Sequence, residues 1–512
     1  MHGQAGQVVL GTRWAFTAAV SNWFGQWPNL LLFFVALSIV LRMASFGHPN
    51  IDGDETFYFL VGQAMHDGAV PYVDVWDRKP IGLFVLFWLI AGVSRSVIAY
   101  QVTAALFAGM TALVVARIAR RWAGGQGAIL AGTVYLLLLP LFWGYGGQAP
   151  VFYNLFVSLC ALLVLQALPT LREGGGLSWR ICLAMLVGGI AITIKQTALF
   201  EAAYFGLFVA AVLYRSSMPR ARLAGTVLIL AAIGAGPTLA AAAWYGLAGH
   251  WGEYWHAMVT SNIAKQKPDT ITVLARSLGL YFRIAPLVCV TLLGLVLGSN
   301  GGAAHGDRKF LIGWLAAATL GFLSVPNFYM HYALPLLVPL CVAAAIFFSR
   351  RDLGIVAFAV IAGLSYHWYY PFARRYTEIA QISVGSLARS IRQHDGGGGL
   401  LVFDGPPLLY ALAEKRFLSP LVLPSHFNYA VERNVSHLDT SAEMARVLAA
   451  GPGVVVMPVW NRNPRNEETW QQVLSYVSRN CRLVDAQLSY EYIASGLMAV
   501  YGDCRPHRGT QR

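Results

Sequence analysis

Three carboxylates lie close together in a short polar segment that follows the first apolar run of the chain. They are Asp52, Asp54 and Glu55, in the sequence Ile51-Asp-Gly-Asp-Glu-Thr-Phe-Tyr58. In a structural interpretation these acids cap the next helix, because a helix N-terminus favours negative charge. In a chemical interpretation one carboxylate takes a proton from a hydroxyl group as a general base. Position alone favours the structural interpretation.

A second polar cluster, Asp77-Arg78-Lys79-Pro80, precedes another apolar stretch. Paired cations at the headgroup level can hold a phosphate, Arg as a two-pronged donor and Lys as a point charge. The alternative is that both side chains only extend toward water from the membrane surface. Because both clusters belong to one loop, an acid and a phosphate site can lie close together. Sugar transfer from a lipid phosphate needs this arrangement, with the acid as base and the cations stabilising the departing phosphate.

The composition indicates that most of the chain lies in a membrane. Of its 512 residues, 57% are hydrophobic and 12% are charged, whereas soluble domains carry about 25% charged residues. A membrane-crossing helix needs about 20 mostly apolar residues. No cleavable signal peptide is evident, so the first apolar run is expected to be an anchor. The sequence predicts eleven spans, at residues 28–46, 97–116, 126–143, 152–169, 178–194, 198–214, 223–245, 284–299, 310–326, 332–349 and 353–370.

Basic residues in the short loops predict the orientation of these spans. The formal net charge is +13, but its distribution over alternate loops indicates topology and not a nucleic-acid partner. The N-terminus and the basic loops are predicted to be cytoplasmic, in a bacterial inner membrane. The loops at 47–96 and 246–283 and the C-terminal tail are then periplasmic. The loops assigned to the cytoplasm contain Arg117, Arg120, Arg121, Arg172, Arg180, Arg215, Arg220, Arg222, Arg308, Lys309, Arg350 and Arg351.

The first polar loop, as residues 47–96 are called below, is predicted to contain two helices. Asp54–His66 offers apolar side chains on one surface, and Ile81–Val93 is apolar but too short to span comfortably. Counting the second as a span would also place the basic residues after the next span outside. Both helices are therefore expected to lie in the outer interface, parallel to the membrane.

The tail is expected to be a separate domain, residues 371–512, after a transmembrane domain at 1–370. Residues 379–394 and 467–479 look helical, and 400–403 and 454–457 resemble short buried strands, which together indicate a small α/β domain. Cys481 and Cys504 lie in this tail. They could form a disulfide if the tail lies in an oxidising compartment. The spacing of Cys and His fits no zinc site.

Four short motifs occur in a familiar order. Asp54-Glu55-Thr56-x-Tyr58 follows the first span, Lys79-Pro80 opens the next apolar helix, Arg117 to Trp122 closes the second span, and His331-Tyr332-Ala333-Leu334-Pro335 opens a late one. The chain resembles the GT-C membrane glycosyltransferases, in the branch of lipid A aminoarabinose transferases and protein O-mannosyltransferases. The resemblance covers about residues 28–350; the tail matches only as an outer domain.

This resemblance implies roles for individual residues. Asp54 aligns with the catalytic carboxylate, and Glu55 with a neighbouring acid that positions the acceptor or a polar network. Lys79 and Tyr332 align with residues that contact the donor phosphate, and Lys195 with a lysine that reaches it from the fifth span; an alternative for Lys195 is extension toward water at the membrane surface.

The chain also departs from the family pattern. Phe57 occupies a position that is often basic, and Arg78 or His331 could supply that charge, so His331 joins the residues predicted to bind the donor phosphate. The start of the fourth span, Gln148 to Asn154, lacks the acid that many relatives carry. Aromatic residues in the outer loops are expected to anchor the membrane interface more often than to bind sugar; these loops contain Tyr72, Trp76, Trp251, Trp255, His256, Asn262, Lys265 and Lys267.

The sequence therefore predicts a polytopic α-helical membrane protein with an inverting transferase activity. A polyprenyl-phosphate sugar is the expected donor, and a glycolipid, glycan or protein the acceptor. No cofactor is expected, and the need for a divalent metal is left open. One alternative is a lipid or solute transporter, although transporters usually place ionisable residues near the membrane midplane. Another is a sensor whose outer domain binds sugar or protein, which leaves the two polar clusters unexplained.

Overall fold

A computed structural model describes residues 26–216, 218–264, 269–297, 305–369, 374–460, 464–490 and 495–505. Within the first part of the chain, every predicted span contains a helix. Four short helices lie between spans, α2 and α3 in the first polar loop, α10 and α11 after α9. In chain order the helices are α1 Trp27–Arg42, α2 Gly53–His66, α3 Ile81–Val93, α4 Val97–Ala119, α5 Gly125–Leu138, α6 Ala149–Arg172, α7 Trp179–Ile194, α8 Leu199–Tyr214, α9 Arg220–Leu247, α10 Trp251–Trp255, α11 Ser261–Ala264, α12 Thr270–Leu297, α13 His305–Leu323, α14 Leu334–Phe348 and α15 Arg351–Tyr369.

The long helices form a bundle whose surface is apolar. Among the described residues, seven helices are long and apolar enough to cross a membrane. In α6, 72% of the most apolar stretch is buried, against 11% in α9. A helix that exposes so much apolar surface needs lipid around it. The chain is therefore an integral membrane protein, and the count of eleven spans stays a prediction.

The two predicted helices of the first polar loop are confirmed as α2 and α3. The side chain of Asp52 accepts a hydrogen bond from the amide of Asp54 at 2.8 Å, so it caps α2. Asp52 thus has the capping role that the structural interpretation gave to the acids of this cluster. The two helices pack with their backbones in contact, since a Cβ atom at Gly62 would stand 2.6 Å from the carbonyl group of Phe87. Their position in a membrane interface stays a prediction.

The tail forms the predicted α/β domain. Its helices are α16 Arg374–Gln393, α17 Leu409–Leu412, α18 Ser425–Asn428, α19 Thr440–Ala449 and α20 Glu467–Asn480, and its strands are β1 Leu400–Val402, β2 Val454–Pro458, β3 Arg482–Tyr490 and β4 Ser495–Gly502. Both expected strands, now β1 and β2, pair in parallel. The hairpin of β3 and β4, which the sequence analysis did not anticipate, adds antiparallel strands in the order β1-β2-β4-β3.

Cys481 and Cys504 form a disulfide in this domain. Cys481 follows α20, and Cys504 follows β4. The bond therefore joins the end of the last helix to the end of the last strand, and closes a segment that contains the whole hairpin. A disulfide of this kind is stable in an oxidising compartment.

The tail domain and the first polar loop meet at one end of the bundle. The amide of Trp76 donates to the carbonyl of Pro420 at 2.9 Å, and the Trp76 ring lies 4.8 Å from the ring of His426. The segment after α9 reaches the same place, because His256 lies 3.2 Å from the carbonyl oxygen of Val435. The three regions predicted to be periplasmic therefore share one end of the protein.

Candidate active site

An acid and a lysine from the two polar clusters lie together in the structure. Lys79 Nζ is 3.8 Å from Asp54 Oδ2 and 3.8 Å from Asp77 Oδ2. The Tyr58 hydroxyl donates to Asp54 at 3.1 Å, as the four-residue spacing along α2 allows. The Tyr72 hydroxyl donates to the carbonyl of Lys79 at 2.8 Å and fixes the start of α3. The side chain of Asp54 remains 33% exposed, so a reactant can reach it.

The charges of this group keep Asp54 ionised. Burial opposes ionisation, but Lys79, His331, the Tyr58 hydroxyl and Lys195 outweigh it and lower the Asp54 pKa to about 2. Asp52 shows the opposite shift. Burial and the nearby charge of Asp54 raise the pKa of Asp52 to about 7. Burial works against the charged form of Lys79 too, but Asp54 and Asp77 raise its pKa. A charged acid and a charged lysine therefore form the centre of the site at neutral pH.

A cavity of about 470 Å³ opens beside Lys79. Four of the five predicted phosphate-binding residues line it, from three separate parts of the chain: Arg78, Lys79, Lys195 and Tyr332. Asn262, which follows a π-helical turn at His256–Thr260, lines it as well. Such turns occur often at functional sites. A cavity with three cationic side chains in its wall suits an anionic ligand.

The late motif forms an aromatic group at the rim of this cavity. Lys195 Nζ lies 5.2 Å from the centre of the Tyr332 ring, a distance that suits a cation–π contact. His331, the fifth predicted phosphate-binding residue, packs edge-on against Tyr332 at 4.5 Å and close to Trp143 at 6.1 Å. His331 is 8% exposed and is not among the cavity-lining residues. His331 nevertheless contributes to the lowered pKa of Asp54.

Glu55 occupies a different environment from Asp54. It is fully buried, and its Oε2 atom accepts a hydrogen bond from the amide of Gly147 at 2.7 Å. A Cβ atom at Gly146 would lie 2.2 Å from the same oxygen, so this backbone approaches Glu55 closely only because the residue is glycine. Burial and the nearby Asp52 raise the Glu55 pKa well above its ordinary range. This geometry favours the polar-network role that the resemblance offered over contact with a reactant.

Arg78 points toward the tail domain. Its Nη2 atom lies 2.7 Å from Glu432 Oε1, and the side chains are 13% and 9% exposed. Phe57, where relatives are often basic, is fully buried and packs against His426 at 6.5 Å. Of the two candidates for the missing charge, Arg78 therefore forms an ion pair with the tail domain, whereas His331 packs against Tyr332. Sequence reasoning missed Glu432, because a single glutamate in a tail without a recognised motif carries no signal.

Other residues named from the sequence have mainly structural surroundings. Tyr72 and Trp76 are fully buried beneath the site. Trp251 and Trp255 stack on each other at 5.6 Å and stay about half exposed, as interface anchors would. Lys265 and Lys267 lie outside the described residues. Within the described part of the chain, no group of three or more His, Cys, Asp or Glu side chains is placed to hold a metal ion.

The chain has a GT-C fold, an architecture found in membrane glycosyltransferases, because its helices and tail domain together match solved structures of that fold. Two similar solved structures are of ArnT from Cupriavidus metallidurans. Its apo form matches with a TM-score of 0.59 at 14% identity over 94% of this chain and 98% of that one. The form bound to undecaprenyl phosphate matches with a TM-score of 0.58 at 13% identity over 91% and 97%.

A third similar structure is an archaeal oligosaccharyltransferase from Archaeoglobus fulgidus in its apo form. It has a TM-score of 0.50 and 11% identity over 85% of this chain and 69% of that one. No protein-family model and no curated protein sequence matches the chain. At these identities the likeness establishes the fold, and the chemistry has to be argued from the site itself.

Proposed function

We propose that this protein is a glycosyltransferase that takes its sugar from a polyprenyl-phosphate donor. The observation that carries the proposal is the Asp54–Lys79 pair, 3.8 Å apart, beside a cavity with three cations in its wall. This site lies at one end of an apolar bundle, where a lipid can bring a phosphate while its chain stays among the helices. Undecaprenyl phosphate bound to a protein of the same fold supports this donor class.

The proposed reaction begins with the donor phosphate beside Lys79, with Lys195 and Tyr332 on the other side of the cavity. The phosphate then competes with Asp54 for the Lys79 charge, so Asp54 becomes a stronger base when the donor is bound. Asp54 takes the proton of an acceptor hydroxyl. The acceptor oxygen forms a bond to the anomeric carbon from the opposite face, and the bond to the phosphate oxygen breaks with its electron pair. The products are an inverted glycoside and the lipid phosphate, which the cations stabilise.

The acceptor is proposed to be a hydroxyl of a glycolipid, a glycan or a protein at the periplasmic face of a bacterial inner membrane. The loop charges support this orientation, and the Cys481–Cys504 disulfide is consistent with a tail domain outside the cytoplasm. The donor is already activated, so the proposed chemistry uses no nucleotide and no cofactor. A divalent metal is not required by any proposed step.

The test compares wild type with Asp54→Asn in nanodiscs that contain radiolabelled polyprenyl-phosphate sugars and an extract of bacterial membranes as acceptor. Loss of a general base reduces turnover by about 10² to 10⁴-fold, while donor binding should persist. Asp67→Asn is the matched control, because Asp67 belongs to the same loop but is 62% exposed and pairs with Arg95 at 2.8 Å. Equal transfer by wild type and Asp54→Asn would remove Asp54 from the mechanism. A wild type that binds no lipid phosphate would instead favour the transporter or sensor alternatives.

A further inference from the structure

The tail domain contributes a buried carboxylate to the donor side of the site. Glu432 ends a short 3₁₀ turn, Ala430–Glu432, and its side chain is 9% exposed. Its Oε1 atom holds Arg78 Nη2 at 2.7 Å. Arg78 lines the 470 Å³ cavity and is the chain neighbour of Lys79. This ion pair therefore joins the tail domain to Arg78, one of the two cations that the first polar loop contributes to the cavity wall.

The surroundings of this ion pair hold its position. Trp76 is fully buried, donates its amide to the carbonyl of Pro420 and packs against His426 at 4.8 Å. Burial lowers the His426 pKa to about 4, so the ring is neutral at pH 7. The carboxylate that pairs with Arg78 at this contact is that of Glu432. Because both side chains are largely removed from water, breaking the pair leaves a buried charge without a partner, which costs far more than breaking an exposed pair.

We propose that Glu432 is a positioning residue for the donor phosphate, acting across the contact between the two regions by fixing the guanidinium of Arg78. The proposal rests on the proposed function, because it assigns the tail domain a part in binding the same phosphate. With Glu432 in place, Arg78 keeps one orientation at the cavity wall and Lys79 stays between Asp54 and Asp77. Without the carboxylate, Arg78 turns toward Asp77, which is 3% exposed, and competes with Lys79 for its charge.

The experiment measures binding of undecaprenyl phosphate without sugar, and separately kcat and KM for the labelled donor, in nanodiscs. Glu432→Gln preserves shape and removes the charge, and we expect donor affinity to fall about tenfold, the size of one charged hydrogen bond, with kcat within about twofold of wild type. The matched control is Glu468→Gln. Glu468 pairs at 2.6 Å with Arg433, the neighbour of Glu432, but both side chains are about half exposed. This control should bind as wild type does.

A double-mutant cycle separates positioning from direct contact. If Glu432 acts through Arg78, then adding Glu432→Gln to Arg78→Met changes affinity no further. Where Glu432→Gln fails to fold, Arg78→Met with Glu432→Leu replaces the buried pair by apolar groups, which proteins often tolerate. That double variant should match Arg78→Met alone in affinity.

Three outcomes would overturn the proposal in distinguishable ways. Wild-type affinity in Glu432→Gln would remove Glu432 from donor binding while leaving the proposed function intact. An additional tenfold loss in the Arg78→Met background would show that Glu432 acts by another route. A wild-type protein that binds no lipid phosphate would refute the proposed function first, and this inference with it.

Discussion

The first polar loop and the tail domain meet at one site, but they hold their charged residues there in different ways. In the loop, Asp54 lies in α2 and Lys79 lies just before α3, and the backbones of these two helices touch at Gly62 and Phe87. In the tail, Glu432 reaches the site from a turn that is linked to the loop through one ion pair and the Trp76–His426 contact. The loop therefore holds its charged residues on a closely packed base, whereas the tail reaches the site through a few specific contacts.

The electrostatic roles of the two regions differ as well. The loop acids have pKa values on both sides of the ordinary range, with Asp54 at about 2 and Asp52 at about 7. Neighbouring acids whose environments separate their pKa values are typical of sites that use one charged and one neutral carboxyl group. The tail supplies Glu432, which balances a cation. Variants of the loop should thus abolish function, and variants of the tail should weaken it.

The largest effect on donor affinity is expected from Lys79→Ala. Loss of a charged contact to a phosphate costs about 1.5–3 kcal/mol, which is about 10 to 150-fold in donor affinity. Isothermal titration with undecaprenyl phosphate in nanodiscs measures it, and Lys309→Ala, in α13, provides a basic-residue control on a different part of the chain. If Lys79→Ala binds the lipid phosphate as wild type does, we would infer that the phosphate is held on the other side of the cavity, where Lys195 lies.

A smaller effect on donor affinity is expected when the tail disulfide is removed by Cys481→Ser with Cys504→Ser. The bond closes residues 481–504, which contain the hairpin, and such bonds contribute about 2–4 kcal/mol to the free energy of unfolding. The thermal midpoint should fall, whereas donor affinity at 25 °C should change by no more than severalfold. Cys289→Ser is the control, because Cys289 is a free, exposed cysteine of α12. A large loss of affinity at unchanged thermal stability would contradict the division of roles described above.

The smallest effect is expected from a change of pH in the wild type. Asp54 is ionised above its pKa of about 2, so protonation of Asp54 should not lower kcat/KM between pH 8 and pH 4. In Lys79→Gln the positive charge that lowers the Asp54 pKa is gone. The fall of kcat/KM at low pH should therefore move up toward the ordinary aspartate pKa of about 3.9. The pH profile of both proteins tests this. An acid limb near pH 7 in the wild type would instead assign the titrating group to Asp52.

The same pKa shift predicts a contribution to stability with a defined sign. The folded-state pKa of Asp54 is lower than its unfolded value, so its ionisation stabilises the fold above about pH 4. That contribution is lost progressively as the pH falls toward 2. Thermal unfolding of wild type and Asp54→Asn should therefore differ more at pH 7 than at pH 3.

The sequence predicted the loop better than the tail for physical reasons. Apolar runs bounded by arginines indicate spans, and α2 and α3 follow from short apolar segments beside polar clusters. Asp54 and Lys79 were found because their residue types and the order of the motifs suggested a common site. The hydrogen bond of Tyr58 to Asp54 also follows from helical spacing and could have been anticipated.

The tail shows where such reasoning stops. Strands β1 and β2 are uninterrupted apolar runs and were predicted, whereas β3 mixes Arg482, Asp485 and Gln487 with apolar residues and gave no clear pattern. The place of Glu432 at the site depends on its contact with Arg78, a residue hundreds of positions away in the sequence. The burial of Glu55 depends in the same way on Gly146 and Gly147 of a distant turn. Tertiary contacts of this kind leave no periodicity in the sequence.

Close backbone packing of the loop has a consequence for how the protein can diversify. Gly62 lies against the backbone of Phe87, and a Cβ atom at Gly82 would stand 2.7 Å from the carbonyl oxygen of Thr193 in α7. The loop is thus packed tightly both within itself and against the bundle. Any side chain larger than hydrogen at these two positions would push the packed backbones apart. Residues from other parts of the chain also line the cavity, and they include Gln196, Asn262 and Asn327. Homologous proteins that accept different lipids should therefore differ at these lining residues, while both glycines remain invariant.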